Sequence, residues 1–131
     1  GADVPFCLTG GLARVTGIGE IIQPLPPITA DWPMLLAMPE TPLSTVAVFA
    51  KYNGEHAEPN DLYPAAVSLC PEMETLLNTL ARTATACGMT GSGSALWAVF
   101  NDEPARDAAL QALLCKCWAV EPVDKGVEIE P

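Results

Sequence analysis

Positive charge is scarce in this 131-residue chain: Lys and Arg number 6 against 16 Asp and Glu, a net charge of −10. Nucleic-acid binding needs a cationic face that displaces counterions from phosphates. Here Arg14, Lys51, Arg82, Arg106, Lys116 and Lys125 are scattered along the sequence, which argues against such a partner. Long apolar runs are missing too. None approaches the roughly 20 residues that a membrane-spanning helix needs, so no membrane partner is expected. A disulfide framework is also lacking: five cysteines (Cys7, Cys70, Cys87, Cys115, Cys117) are an odd number without framework spacing. Reduced thiols and a cytoplasmic setting are expected. There is no C-x-x-C pair, and Cys115 and Cys117 read as small hydrophobes rather than zinc ligands, so no metal site is expected. The single histidine, His56, stands among Glu55, Glu58 and Asp61 in a polar loop and reads as solvated surface. Aromatics are few, and Trp32, Trp97 and Trp118 are dispersed, which suits core or subunit contacts better than a ligand cage.

Half of the residues are hydrophobic, enough for one folded core in a chain of this length. Residues 1–25 are Gly-rich with short β-prone pieces, and "ARVTGIGEIIQPL" reads as two strands or one bent strand around Gly17 and Gly19. "QPLPPITADWP" carries four prolines and marks a boundary or crossover. "MLLAM" (34–38) is a short apolar run of the buried-strand type, and "STVAVFAKY" predicts a helix with Ser44 or Thr45 near its N-cap. Asn60 can cap a following helix with Pro64 in its first turn, and Pro71 opens another. In that second helix Met73, Leu76, Leu77 and Leu80 repeat on one face. "TACGM" and "ALWAVF" form a hairpin through Thr90-Gly91-Ser92-Gly93-Ser94, Asp102 caps "EPARDAALQALLCK", and "CWAVEPV" returns as a strand.

From Met34 the order is βαββαβ with one crossover enlarged: an α+β fold, the ferredoxin-like split βαβ sandwich with helices on one face of an antiparallel sheet. Residues 1–25 stand outside it. The expected division is therefore 1–25, the end of a preceding domain, and 26–131, the sandwich.

"MTGSGSALWAVF" carries the strongest local chemistry. Alternating glycines let backbone N–H groups converge on an anion, and Ser92 and Ser94 add hydroxyls. A plain hairpin turn explains the same stretch. Asp3, beside a Pro-constrained loop, could act as a general base or orient a hydroxyl; as a capping or solvated residue it needs no function.

The order "GADVPF", "GIGE", a Pro-bounded strand leading to "STVAVF", "ND" opening helices, and "MTGSGS" before an apolar strand resembles the C-terminal part of the GHMP kinases. Within them it is most similar to the family that phosphorylates 4-diphosphocytidyl-2-C-methyl-D-erythritol on the methylerythritol phosphate route to isoprenoids. The resemblance runs from Gly1 to about Val123. It implies that Asp3 is the catalytic carboxylate, positioning or deprotonating the substrate hydroxyl that attacks the γ-phosphate of ATP. It implies that Gly91, Ser92, Gly93 and Ser94 line the phosphate side of the site. Phe49 would stack on the cytosine of a cytidyl diphosphate sugar alcohol, with Thr45 nearby. ATP and Mg2+ are the implied cofactors.

Two family motifs have no counterpart: the first, with its active-site Lys, and a P-x-x-x-G-L-G-S-S-type loop that carries most of the ATP phosphate contacts. Cys7 stands where an aromatic or aliphatic residue is common. The expectation is a C-terminal kinase fragment, inactive by itself and binding neither ATP nor Mg2+ tightly. It should expose apolar surface around residues 4–25 and self-associate, as a homodimer. Other readings are a different GHMP kinase such as homoserine or mevalonate kinase, a stand-alone ferredoxin-like module binding a small anion, and a folded piece without function.

Overall fold

The computed structural model describes residues 2–27 and 32–127, which fall into two compact units. The first takes the chain up to Asp31 together with residues from Glu121 onward, and the second runs from Trp32 to Val120. Sequence patterning set this division at residue 25 and carried the second domain to 131. The returning segment shows no pattern of its own that would assign it to the first unit.

Where short β-prone pieces were expected, the first unit opens with a helix, α1 (Val4–Thr9). Pro5 sits in its first turn, where the missing N–H costs nothing. Gly10, at φ +69, ends it by donating to the Phe6 carbonyl at 2.7 Å. The following strands β1 (Ala13–Thr16) and β2 (Ile21–Pro24) form an antiparallel hairpin, with Ala13 opposite Pro24 and Thr16 opposite Ile21. Gly10 is required for a second reason: a Cβ there would overlap the backbone nitrogen of Gly126, so the returning segment runs against the end of α1. The unit buries little. Val4, Leu8, Leu12, Val15, Ile18, Ile21 and Leu25 are all exposed, as expected of this stretch.

In the second unit, β3 (Met34–Met38) leads into three helices, α2 (Thr45–Lys51), α3 (Tyr63–Leu69) and α4 (Glu72–Leu80). The hairpin β4 (Ala86–Met89) and β5 (Leu96–Val99), helix α5 (Glu103–Ala112) and strand β6 (Lys116–Val120) complete it. The sheet order is β4-β5-β3-β6, antiparallel throughout. This is the expected split βαβ arrangement, with three helices filling the enlarged crossover.

Period-two alternation assigns the sheet's faces. Leu35, Ala37, Leu96 and Ala98 are buried and join Val48, Ala66, Met73 and Leu80 of the helices in one cluster. Met34, Leu36, Met38, Trp97, Val99 and Trp118 point to the other face, where Trp118 is 49% exposed. The caps follow local chemistry. Ser44 Oγ accepts from the Ala47 N–H at 3.4 Å, and an Asp102 carboxylate oxygen accepts from the Ala105 N–H at 2.8 Å. Helix α5 stops at Ala112, short of the Lys116 end that its composition suggested, because the chain must turn at Leu113 to enter β6.

Candidate functional site

The glycine loop between β4 and β5 is held from several sides. Its base is a hairpin closure in which the Thr90 N–H donates to the Ala95 carbonyl and the Gly93 N–H to the Thr90 carbonyl, each at 3.0 Å. The Gly93 N–H is thus used inside the turn instead of being offered to an anion. Gly91 and Gly93 have φ of +57 and +86, a region that side-chain-bearing residues avoid. At Gly93 a Cβ would also lie 2.9 Å from Met89 Sδ and 3.1 Å from Leu43 Cδ1. Torsion is what demands glycine there, since the Met89 and Leu43 side-chain ends could shift to admit a Cβ.

Two side chains far away in sequence tie the loop down. Thr45 Oγ1, at the start of α2, is 2.9 Å from Ser92 Oγ. The Asn60 carboxamide donates to the Met89 carbonyl at 3.2 Å and the Gly91 carbonyl at 2.9 Å. Asn60 does not cap α3, as its position suggested. Leu62 is the N-cap residue, and the Asn60 side-chain oxygen accepts the Leu62 N–H at 2.9 Å. The residue instead staples the entry of α3 to the glycine loop. The "ND" pair was the only sequence signal, and nothing local could show that its amide reaches across 29 to 31 residues.

Thr45 and Phe49, four apart on α2, share a helix face. Phe49 is 56% exposed, an aromatic ring open to a ligand instead of the core. The expected residues Thr45, Phe49 and Gly91 to Ser94 therefore belong to one neighbourhood of the second unit, joined by the Thr45–Ser92 hydroxyl pair. Ser94 differs from Ser92: it is buried, and among the described residues its hydroxyl's one hydrogen-bond partner is Met38 Sδ at 4.0 Å.

Asp3 belongs to the first unit. It is the N-cap residue of α1 rather than part of a loop, and its exposed side chain makes no capping hydrogen bond. The carboxylate is not consumed by the helix it precedes.

The loop before Asn60 carries the lone histidine. His56 is exposed with both ring nitrogens engaged, Nδ1 by Asp61 at 2.7 Å and Nε2 by Glu58 at 3.0 Å. The charge of Asp61 above all, with the Glu58 hydrogen bond next, raises its pKa above the ordinary 6.5. Asp61 is lowered, first by the Ala57 N–H that it accepts at 2.8 Å. Burial pushes the thiols of Cys87 and Cys115 up, which disfavours the reactive thiolate. Among the described residues no group of three or more His, Cys, Asp or Glu stands close enough to hold a metal ion, and no helix is long and apolar enough to cross a membrane.

The family model for the C terminal of the GHMP kinases matches residues 37–120, a span that holds α2, the glycine loop and Asn60. The chain belongs to the GHMP kinases. Similar curated proteins include the 4-diphosphocytidyl-2-C-methyl-D-erythritol kinase of Novosphingobium aromaticivorans, 33% identical over 92% of this chain and 47% of that protein. The enzyme of the same name from Acidovorax sp. is 37% identical over 75% of this chain and 41% of that protein. A crystal structure of 4-(cytidine 5'-diphospho)-2C-methyl-D-erythritol kinase superposes with a TM-score of 0.75 at 25% identity, covering 91% of this chain and 52% of the other. Homoserine kinase from Cytophaga hutchinsonii shares the fold, with a TM-score of 0.69 at 17% identity over 94% of this chain and 51% of the other. This GHMP kinase chain thus spans about half the length of the relatives it matches.

Proposed function

We propose that this chain carries the acceptor-substrate wall of an ATP-dependent small-molecule kinase that phosphorylates 4-diphosphocytidyl-2-C-methyl-D-erythritol. The observation that carries the reading is the 2.9 Å pair between Thr45 and Ser92, which holds the aromatic-bearing helix against the glycine loop. The names of the curated relatives support the cytidyl substrate over homoserine, since homoserine kinase enters through fold alone. Phe49 stacks on the cytosine, Thr45 offers a hydroxyl beside it, and the 91–94 loop lines the phosphate side through Gly91 and Ser92, with the buried Ser94 turned toward Met38. Asp3 orients the acceptor hydroxyl and takes its proton as that oxygen bonds to the γ-phosphorus and ADP leaves. Such transfer depends mainly on positioning and charge neutralisation. Mg2+ would neutralise phosphate charge in the reaction.

The test is a chimera joining the N-terminal half of the Novosphingobium aromaticivorans relative to this chain. It should phosphorylate the cytidyl alcohol in preference to homoserine and mevalonate, whereas this chain by itself should turn over none of them. Preference for homoserine or mevalonate would transfer the reading to another GHMP kinase activity. In the chimera, Phe49→Ala should raise KM for the cytidyl substrate by roughly tenfold to a hundredfold, the value of one base–aromatic stack. An unchanged KM would remove Phe49 from the site.

Self-association belongs to the same reading. Its support is the exposed apolar surface of the first unit and Trp118 on the sheet. Light scattering at high protein concentration should give a dimer mass, and a persistent monomer would rule it out.

A further inference from the structure

A pocket of about 430 Å³ lies at the end of the sheet where β3 leaves and β6 begins, lined by Met38, Pro39, Glu40, Pro42, Ser94 and Lys116. Its volume is within the range of small-molecule sites. Register builds it. Met38 is directly opposite Lys116 across the β3–β6 ladder, so the two side chains share a face. Ser94 Oγ approaches the same Met38 sulfur at 4.0 Å. Ser94 is 6% exposed, and a thioether at that distance is a poor acceptor for a hydroxyl. A buried hydroxyl without a strong partner is costly unless something answers it.

Lys116 makes no ion pair among the described residues. The exposed Lys116 lines the same pocket as the buried Ser94 and is its one cationic lining residue. Pro39 and Pro42 fix the backbone of the facing wall, so the pocket needs little ordering to accept a ligand. Glu40 supplies one acceptor in the same lining.

We infer that this pocket binds a small organic oxyanion that also carries a hydroxyl, the anion meeting Lys116 and Ser94 and the hydroxyl meeting Glu40. The inference goes beyond the substrate wall described above. Ser92 serves that wall through Thr45, while Ser94 turns to a separate set of neighbours, so the two serines of one loop serve two sites. Apolar contact with Met38 and the prolines suits a ligand body of a few carbons. A phosphate ester and a carboxylate offer the same recognition chemistry.

Amide chemical-shift titrations of the intact chain with sn-glycerol 3-phosphate and, separately, with glycerate test this. At least one should produce saturable shifts at Met38, Ser94 and Lys116, and the ligand that does so identifies the head group. Lys116→Gln, at an exposed strand start, should weaken that binding at least tenfold, and Ser94→Ala should weaken it several-fold. No saturable shift at those residues with either compound would overturn the inference. So would equal affinity in Lys116→Gln, or shifts confined to Gly91 and Ser92. Cytidine-nucleotide binding is read at Thr45 and Phe49, so the failure of one site is distinguishable from the failure of the other.

Discussion

In the chimeric kinase, Asp3→Asn is expected to lower kcat by about 10²–10⁴-fold, the usual contribution of a positioned general base, with KM for the alcohol little changed. The argument rests on what the carboxylate does not do. Asp3 precedes α1, accepts no capping hydrogen bond and is exposed, so the fold makes no demand on its charge. Asparagine is isosteric and caps helices as well as aspartate does. A residue serving only the helix would therefore tolerate the change, with kcat within about twofold. A loss confined to kcat means that the missing function is acceptance of a proton or orientation of the attacking hydroxyl. An unaltered kcat takes Asp3 out of the mechanism and leaves the glycine loop and α2 as this chain's share of the substrate wall.

Leu35→Ala is expected to destabilise the second unit by about 2–5 kcal/mol, the range for removing a buried leucine and leaving a cavity. Leu35 has no exposed surface and lies in the central strand β3, between Ala98 and Ala119 on its two neighbours. With alanine on both sides, no large neighbouring side chain in the sheet can move in to fill the space. A domain of this size is typically stable by about 5–15 kcal/mol, so the variant should melt well below the parent protein in calorimetry. A loss under about 1 kcal/mol would show that the helix layer collapses onto the sheet, and that the core is less rigid than its burial implies.

The elements that could be read from sequence are those whose cause is local. The apolar run Met34–Met38, the caps Ser44 and Asp102, and the Gly-Ser turn all carry their physics within a few residues. Helix α1 was hidden because Val4, Pro5 and flanking glycines are poor helix formers, and its six residues offer no periodicity to detect. The site divides in the same way. Thr45, Phe49 and the 91–94 loop were legible through family resemblance, yet their contact depends on pairing across 47 residues. Asn60 as a staple and Lys116 as a pocket cation were invisible for the same reason: both meanings come from partners brought in by the sheet order β4-β5-β3-β6. The return of residues from Glu121 to the first unit likewise rests on backbone approach at Gly10 and Gly126, which no composition reveals.

The most direct test of the proposed substrate wall is calorimetric titration of this chain by itself with 4-diphosphocytidyl-2-C-methyl-D-erythritol, with Mg-ATP in a parallel titration. Saturable binding of the cytidyl compound that is weakened by Phe49→Ala, with no comparable binding of Mg-ATP, is the expected result. Mg-ATP binding with none of the cytidyl compound would contradict it, and so would cytidyl binding indifferent to Phe49.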